Sequence, residues 1–353
     1  MGAIHGDDHF AGIMKLIYVT DVHGSFERVR ELLNLTAADV YIVAGDLVDI
    51  PFHTVKTARR YLDLQTYFHN LRRGKGKGDM TLEDYVDELL EDPGLAGEVM
   101  EKGDRYRYET LRARKILQKN YGLLENMLSL LTRGCAFSLP GNHDMDLGQT
   151  TLRDRDLHLK CHTAGSLKIA GYGGAGGTTP GIPERYSVAY RAGTGVSEEN
   201  NEMYRFFKSV QPDLIVTHQP AYGIHDFAAP MGETGSHALR RYCERNPVLL
   251  CLTGHLHDQW GLEEADGTAF LNPSHFGEIV EISGRISEGG FFHEVEIAGS
   301  TVGRIRHRKL AAGQIFDVVV HDRKEGRWVP EVVDRGRYGA LLRGRNYETG
   351  EDG

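Results

Sequence analysis

Cysteine is scarce in this 353-residue chain: its four residues, Cys135, Cys161, Cys243 and Cys251, stand far apart with no C-x-x-C pair. That excludes a cysteine-built zinc site or a dithiol redox motif and leaves four reduced thiols. Long apolar runs are missing as well, none approaching the ~20 residues that would cross a bilayer. The opening Met1-Gly2-Ala3-Ile4-His5-Gly6-Asp7-Asp8 lacks the basic region and apolar stretch of a signal peptide. Gly6 also stands where a myristoylation signal carries Ser or Thr. The expected location is therefore cytoplasmic. Positive charge is in deficit too: a net charge of −9 argues against a protein that coats duplex nucleic acid, which needs clustered Lys and Arg. A small phosphorylated substrate is compatible with that charge, because a bound metal supplies its own. At 40% hydrophobic residues, the chain reads as a globular protein with one large core or two ordinary ones.

What the chain does have is five short blocks of metal-binding and proton-handling residues: Asp21-Val22-His23, Gly45-Asp46, Gly141-Asn142-His143-Asp144, Thr217-His218 and Gly254-His255-Leu256-His257. Each follows a short apolar, β-branched run of the kind that forms a buried strand: residues 15–20, 40–44, 135–139, 214–217 and 248–253. A helix is expected from Ser25 as N-cap through Val29, Leu32 and Leu33. This alternation of strand and helix is an α/β pattern. Ligands of such sheets bind beyond the carboxyl ends of the strands, so the placement gathers distant residues at one edge.

Residues 52–132 read as a helical insertion, with apolar spacing through Tyr61, Leu64 and Phe68 and again through Leu117, Leu124 and Leu128. It could act as a lid or wall sizing the substrate pocket. Residues 1–13 read as an N-terminal extension and 14–353 as one domain. Within that domain, 278–335 is a β-rich C-terminal segment of antiparallel hairpins.

Carboxylates, imidazoles and one amide without thiolate favour hard or borderline ions such as Mn, Fe or Zn. Seven ligands are too many for one ordinary site. If Asp46 bridges, Asp21, His23 and His257 fall to one ion and Asn142, His218 and His255 to the other. Such a pair, ~3.5–4 Å apart, suits hydrolysis of a phosphoester by a bridging hydroxide.

The ordered pattern D-x-H, G-D, G-N-H-D, H, G-H-x-H resembles that of the calcineurin-like metallophosphoesterase superfamily over roughly residues 15–275. The Asn272-Pro273-Ser274 turn and the Gly232–His237 loop are similar to its small bacterial-type phosphodiesterase branch. The resemblance implies a four-layer β-sandwich of two mixed sheets flanked by helices, rather than a single doubly wound sheet. It implies the same seven ligands, with His143 as the catalytic acid on the leaving oxygen and Asp144 holding the His143 tautomer by a hydrogen bond. Its implied substrate is a phosphodiester or phosphomonoester, nucleotides included. The rivals are a nuclease and a non-catalytic interaction scaffold on the same fold. Scaffolds of that kind lose a ligand or the histidine of G-N-H, and this chain keeps all of them.

Taken singly, each block has a plainer reading: Asp21-Val22-His23 as a surface turn, His218 as a core histidine. Five in order at strand ends reverse those odds. Gly171–Gly176 fits G-x-G-x-x-G, but the prolines at 180 and 183 deny it the following helix of a dinucleotide site. It is expected as a glycine loop near the active edge. His225 and His237 follow the His218 loop and are candidates to reach substrate. Asp49 reads as a supporting carboxylate.

Overall fold

The computed structural model describes residues 12–333 apart from 53, 177–178, 193–196, 198–199 and 281–284. Nearly all of the expected extension 1–13, and residues 334–335 of the expected C-terminal segment, lie outside the described residues.

Strand β1 (Met14–Thr20) is buried on both faces except at exposed Lys15, which is why residues 16–19 are continuously apolar and not alternating. Helix α1 (Phe26–Leu35) returns the chain to β2 (Val40–Ala44). Ser25 does stand at the N-cap of α1, but its hydroxyl accepts from the Glu278 amide at 3.1 Å and makes no bond to the first turn. The insertion follows as α2 (Val55–Gly74), α3 (Leu82–Leu90) and α4 (Gly97–Leu128), then β3 (Cys135–Leu139). Next come β4 (Lys160–Ala164), β5 (Leu167–Tyr172), α5 (Glu202–Val210), β6 (Leu214–Thr217), the short pair β7 (Phe227–Ala228) and β8 (Gly232–Glu233), α6 (His237–Arg245) and β9 (Leu250–Leu252). The remainder is strand: β10 (Gly261–Ala265), β11 (Thr268–Asn272), β12 (Ile279–Val280), β13 (Ile286–Ser287), β14 (Phe291–Ala298), β15 (Thr301–Ala311), β16 (Gln314–Lys324) and β17 (Arg327–Val332).

These form two large mixed sheets. The first runs β17-β16-β15-β14-β1-β2-β3 and the second β10-β11-β9-β6-β5-β4. In the first, β1, β2 and β3 are parallel and β14 joins β1 antiparallel, Tyr18 opposite His293. Leu16, Tyr18, Val40 and Ile42 turn inward to meet Ile169, Leu214, Val216 and Leu252 of the second sheet. Their alternate neighbours Ile17, Val19, Tyr41 and Val43 pack outward on α1 and α4 through Val29, Leu32, Leu117 and Leu124. Beyond the second sheet, Ala170, Ile215, Cys251 and Phe270 meet α5 and α6 at Phe207, Leu239 and Tyr242. The result is the expected four layers: helix, sheet, sheet, helix.

Between β2 and β3 the chain forms α2, α3 and α4, with an apolar cluster of their own around Tyr61, Phe68, Tyr85, Val86 and Tyr106. One long strand was not foreseen. β15 spans 11 residues but carries Arg304, Arg306 and Arg308, which mask its β-character. Those side chains lie in ion pairs: Arg306 with Glu294 (2.9 Å) and Glu296 (2.6 Å), Arg308 with Glu294 and Asp317 (both 2.7 Å), and Arg304 with Asp322. The charged residues are cross-strand partners, and the strand itself is held by Val302, Ile305 and Leu310.

Candidate metal centre

The loops leaving β1, β2 and β3 of the first sheet and β6 and β9 of the second meet at one edge of the sandwich. Their backbones are zipped together: the His23 amide donates to the Asp46 carbonyl (2.8 Å) and the Gly24 amide to the Leu47 carbonyl (3.1 Å). The Gly254 amide likewise donates to the His218 carbonyl at 3.2 Å. Four of the predicted ligands lie in the left-handed region, Asp21 at φ 56°, His23 at 44°, Asp46 at 42° and His255 at 70°. That conformation is uncommon outside glycine and concentrates at functional sites, where the surrounding structure has to enforce it. Gly45 shows how tightly the side chains converge, since a Cβ there would lie 2.0 Å from His218 Nδ1.

Asp21 (0% exposed) and Asp46 (4%) sit at the floor. His257 Nε2 is 3.2 Å and His23 Nε2 3.9 Å from Asp21 Oδ1. On the other side His218 Nε2 is 3.4 Å from Asp46 Oδ1 and 3.0 Å from Asn142 Oδ1. His143 Nε2 lies 3.8 Å from Asp46 Oδ2, and the His143 side chain keeps 26% of its surface open. Three overlapping groups, each with donor atoms within 4.8 Å of one another, could hold a cation: Asp21, His23 and His257; His23, Asp46 and His143; and Asp21, Asp46 and His218. His255 belongs to none of these groups; its ring stands 5.0 Å from that of His218 and its amide donates to Asp21 Oδ2 at 3.1 Å.

These residues fit divalent ions. Two donors ~2.1 Å from a shared ion stand about 3.4 Å apart at tetrahedral angles, close to the separations around Asp21 and Asp46. His23 Nε2 is buried with no hydrogen-bond partner, a costly state that a cation would relieve. Electrostatics agree. Burial pushes the Asp21 and Asp46 carboxyls up, but His218 beside both, with His257 at Asp21 and His143 at Asp46, overrides it and holds both below the usual carboxylate range. Burial would lower His218, yet Asp46 and Asp21 lift it to about 9. Burial and the charge of His218 take His255 down to about 4, and burial lowers His23. His23 and His255 are thus pushed toward the neutral form that metal binding requires, whereas the carboxylates favour a proton on His218 and, through Asp21, on His257, which a metal would have to displace.

Asp144 departs from its expected role. Its carboxylate does not reach His143, whose Nδ1 has no hydrogen-bond partner. It accepts instead from the amides of Gly141 (2.7 Å), Leu47 (2.9 Å) and Val48 (3.3 Å) and from the Tyr121 hydroxyl (2.9 Å). The carboxylate is buried where it ties the two loops together. Burial and the charge of Asp46 push it up to about 6.

The supporting residues were mostly invisible in the sequence. Tyr121, on α4, also accepts from the Met145 amide at 2.8 Å. Thr179 accepts from Asn142 Nδ2 at 2.8 Å. The Asn272-Pro273-Ser274 turn does lie under the H-x-H loop: Asn272 Nδ2 donates to the Leu256 carbonyl (3.1 Å) and Ser274 Oγ to the His257 carbonyl (2.6 Å). His275, not singled out beforehand, has its ring centroid 5.0 Å from that of His257, tilted at 44°. The glycine loop is where expected, with Gly174 bonded to the Pro140 carbonyl (2.8 Å). His237 is exposed and stacked on Tyr222. His225 lies by buried His293, whose pKa it helps to lower. Asp49 only caps its own turn, accepting from the Ile50 amide at 2.7 Å.

The calcineurin-like phosphoesterase family matches residues 52–259, more than half of the chain. That stretch holds Asn142, His143, His218, His255 and His257, while Asp21, His23 and Asp46 precede it. One crystal structure aligns over 85% of this chain and 100% of its own at TM-score 0.51 and 14% identity, a likeness of fold. A dimetal phosphatase from Danio rerio aligns over 86% of this chain and 98% of its own (TM-score 0.42, 12% identity). The protein TT1561 of Thermus thermophilus aligns over 87% and 98% (TM-score 0.41, 12% identity). No curated protein matches the sequence.

Proposed function

The chain belongs to the calcineurin-like phosphoesterase family, and from that premise we propose that it hydrolyses a small phosphodiester or phosphomonoester at a two-ion centre. Asp21, His23, Asp46 and His257 hold one divalent ion in this reading; Asp46, Asn142, His218 and His255 hold the other. The observation that carries it is the convergence of carboxylate, amide and imidazole donors from five loops, with the buried His23 Nε2 left without a protein partner. When bound, such a pair supplies positive charge to the phosphoryl oxygens and lowers the pKa of a water that can attack phosphorus.

The chain's own groups do the rest. The Asp21 and Asp46 carboxylates stay ionised. The His143 amide donates to Asp46 Oδ1 at 2.8 Å, so the loop carrying the proposed acid is fastened to the proposed bridging carboxylate. His143, the most open imidazole facing Asp46, delivers its proton to the departing oxygen, a step typically worth ~10²–10⁴-fold in rate.

The test is turnover of a panel of phosphomonoesters, phosphodiesters and cyclic nucleotides with added Mn, Zn or Fe. His143→Ala should retain metal, measured by elemental analysis, while losing about 10²-fold or more in kcat on substrates with poor leaving groups. Asp46→Ala should lose both ions. Absence of turnover with every metal would overturn the reading, and unchanged His143→Ala kinetics would remove the acid from it.

A further inference from the structure

Asn142 is the one proposed ligand whose side chain has two chemically different ends, since only Oδ1 can bind a cation while Nδ2 must be turned away. Nδ2 is held by Thr179 Oγ1 at 2.8 Å, and Oδ1 thereby faces His218 Nε2 and the Asp46 side of the cluster. Thr179 begins a loop that the insertion grips firmly. Gln65 of α2, 5% exposed, accepts from the Gly181 amide at 2.8 Å and donates to the Ile182 carbonyl at 3.0 Å. Glu184 is clamped by Arg72 Nη1 (2.7 Å) and by the amide of Leu82 (2.9 Å). Arg185 reaches Asp84 (2.7 Å) and Asp87 (2.6 Å) on α3.

A lid would be joined to the body by few and exposed bonds. Here the bonds are several, partly buried, and aimed at the loop that orients a ligand. We propose that the helical insertion is the outer frame of the metal centre: α2 fixes the 179–187 loop through Gln65, and Thr179 fixes the Asn142 amide with its oxygen toward the ion. Thr179 and Gln65 are positioning residues, and the proposal rests on the two-ion reading given above. This frame differs from the expected lid or wall in acting on the metal centre and not on the substrate.

The test is calorimetric titration of the metal-free full chain with Mn²⁺. Thr179→Val, which keeps the shape and removes the hydroxyl, should weaken one of two sites by about 10- to 100-fold, as loss of an outer-sphere partner does, and leave the other within about twofold. Thr179→Ser should restore it, and Gln65→Leu should weaken the same site to a smaller degree. Metal-free Thr179→Val should melt with the parent, while Gln65→Leu, which leaves the buried Gly181 N–H and Ile182 carbonyl unpaired, should melt lower but still fold; if Thr179→Val does not fold, Gln65→Leu, which leaves Thr179 in place, decides. Two unchanged affinities in the deciding variant, or Thr179→Ser as weak as Thr179→Val, would overturn the proposal while leaving the two-ion reading intact. A parent protein that binds fewer than two ions would overturn both.

Discussion

Gly141 illustrates how little freedom a single residue has at this edge. A Cβ at that position would stand 2.2 Å from both the amide nitrogen and Oδ1 of Asp46, so a methyl group there must displace the carboxylate proposed to bridge. Gly141→Ala should therefore reduce bound metal well below that of the parent although it removes no ligand. Elemental analysis after gel filtration reads this directly; full metal content in the variant would show that the loop yields at no cost to Asp46. The left-handed backbones of Asp21, His23, Asp46 and His255 add a second constraint. Asp, Asn and His are the non-glycine types that tolerate this region best, and they are also ligands for hard and borderline ions.

Among the elements, α4 has an unexpected part. Its apolar spacing was legible as helical, and in the structure Leu117, Leu124 and Leu128 pack on the first sheet. Tyr121 sits on the same buried stripe but ends in a hydroxyl that serves Asp144 and the Met145 amide. Tyr121→Phe removes one bond to Asp144, whose Oδ1 keeps the Leu47 and Val48 amides, and leaves the buried Met145 N–H unsatisfied, at a cost of about 1–3 kcal/mol. Urea denaturation should show that loss as a lower midpoint with unchanged slope; an unchanged midpoint would mean the Asp144 network is satisfied without Tyr121. The same case shows what the sequence can convey. Ligands at strand ends were legible because burial forces apolar runs and chemistry forces Asp, Asn and His to follow them. β15 was not, because arginines paired across the sheet look like a solvated stretch when read alone. Tyr121, Thr179 and Gln65 were not, because a helix's apolar spacing and a loop's composition carry no record of where one hydroxyl or amide will point. The role given to Asp144 failed for the same reason: adjacency to His143 in the chain says nothing of which side of the loop its carboxylate occupies.

At the scale of the whole molecule, stability should depend on buried histidines away from the metal loops. His293, His307 and His321 are 1%, 1% and 3% exposed, and His307 stacks on Trp260 at 4.6 Å. Burial, together with the charges of His307, His321 and His225, holds His293 well below its usual range, and burial takes His321 down to about 4. An unfolded histidine protonates near 6.5. Below that value the unfolded chain takes up protons that the folded one refuses, so this contribution is complete above pH ~6.5 and declines as pH falls toward the folded values. For His321 the loss by about pH 5 is on the order of 2 kcal/mol. Thermal melts of metal-free protein between about pH 7.5 and 5 should show the decline, and His321→Leu should shallow it; parallel pH profiles for parent and variant would count against a role for His321.

The proposed ligands are divided between the two sheets, with Asp21, His23, Asp46 and Asn142 following strands of the first and His218, His255 and His257 following strands of the second. A chain leaving the ribosome has made the first four long before the last, and β14, which lies between β1 and β15, comes later still. On the proposed two-ion reading, neither sheet alone carries enough donors for both ions, so binding of the full complement would require, and report, a closed sandwich.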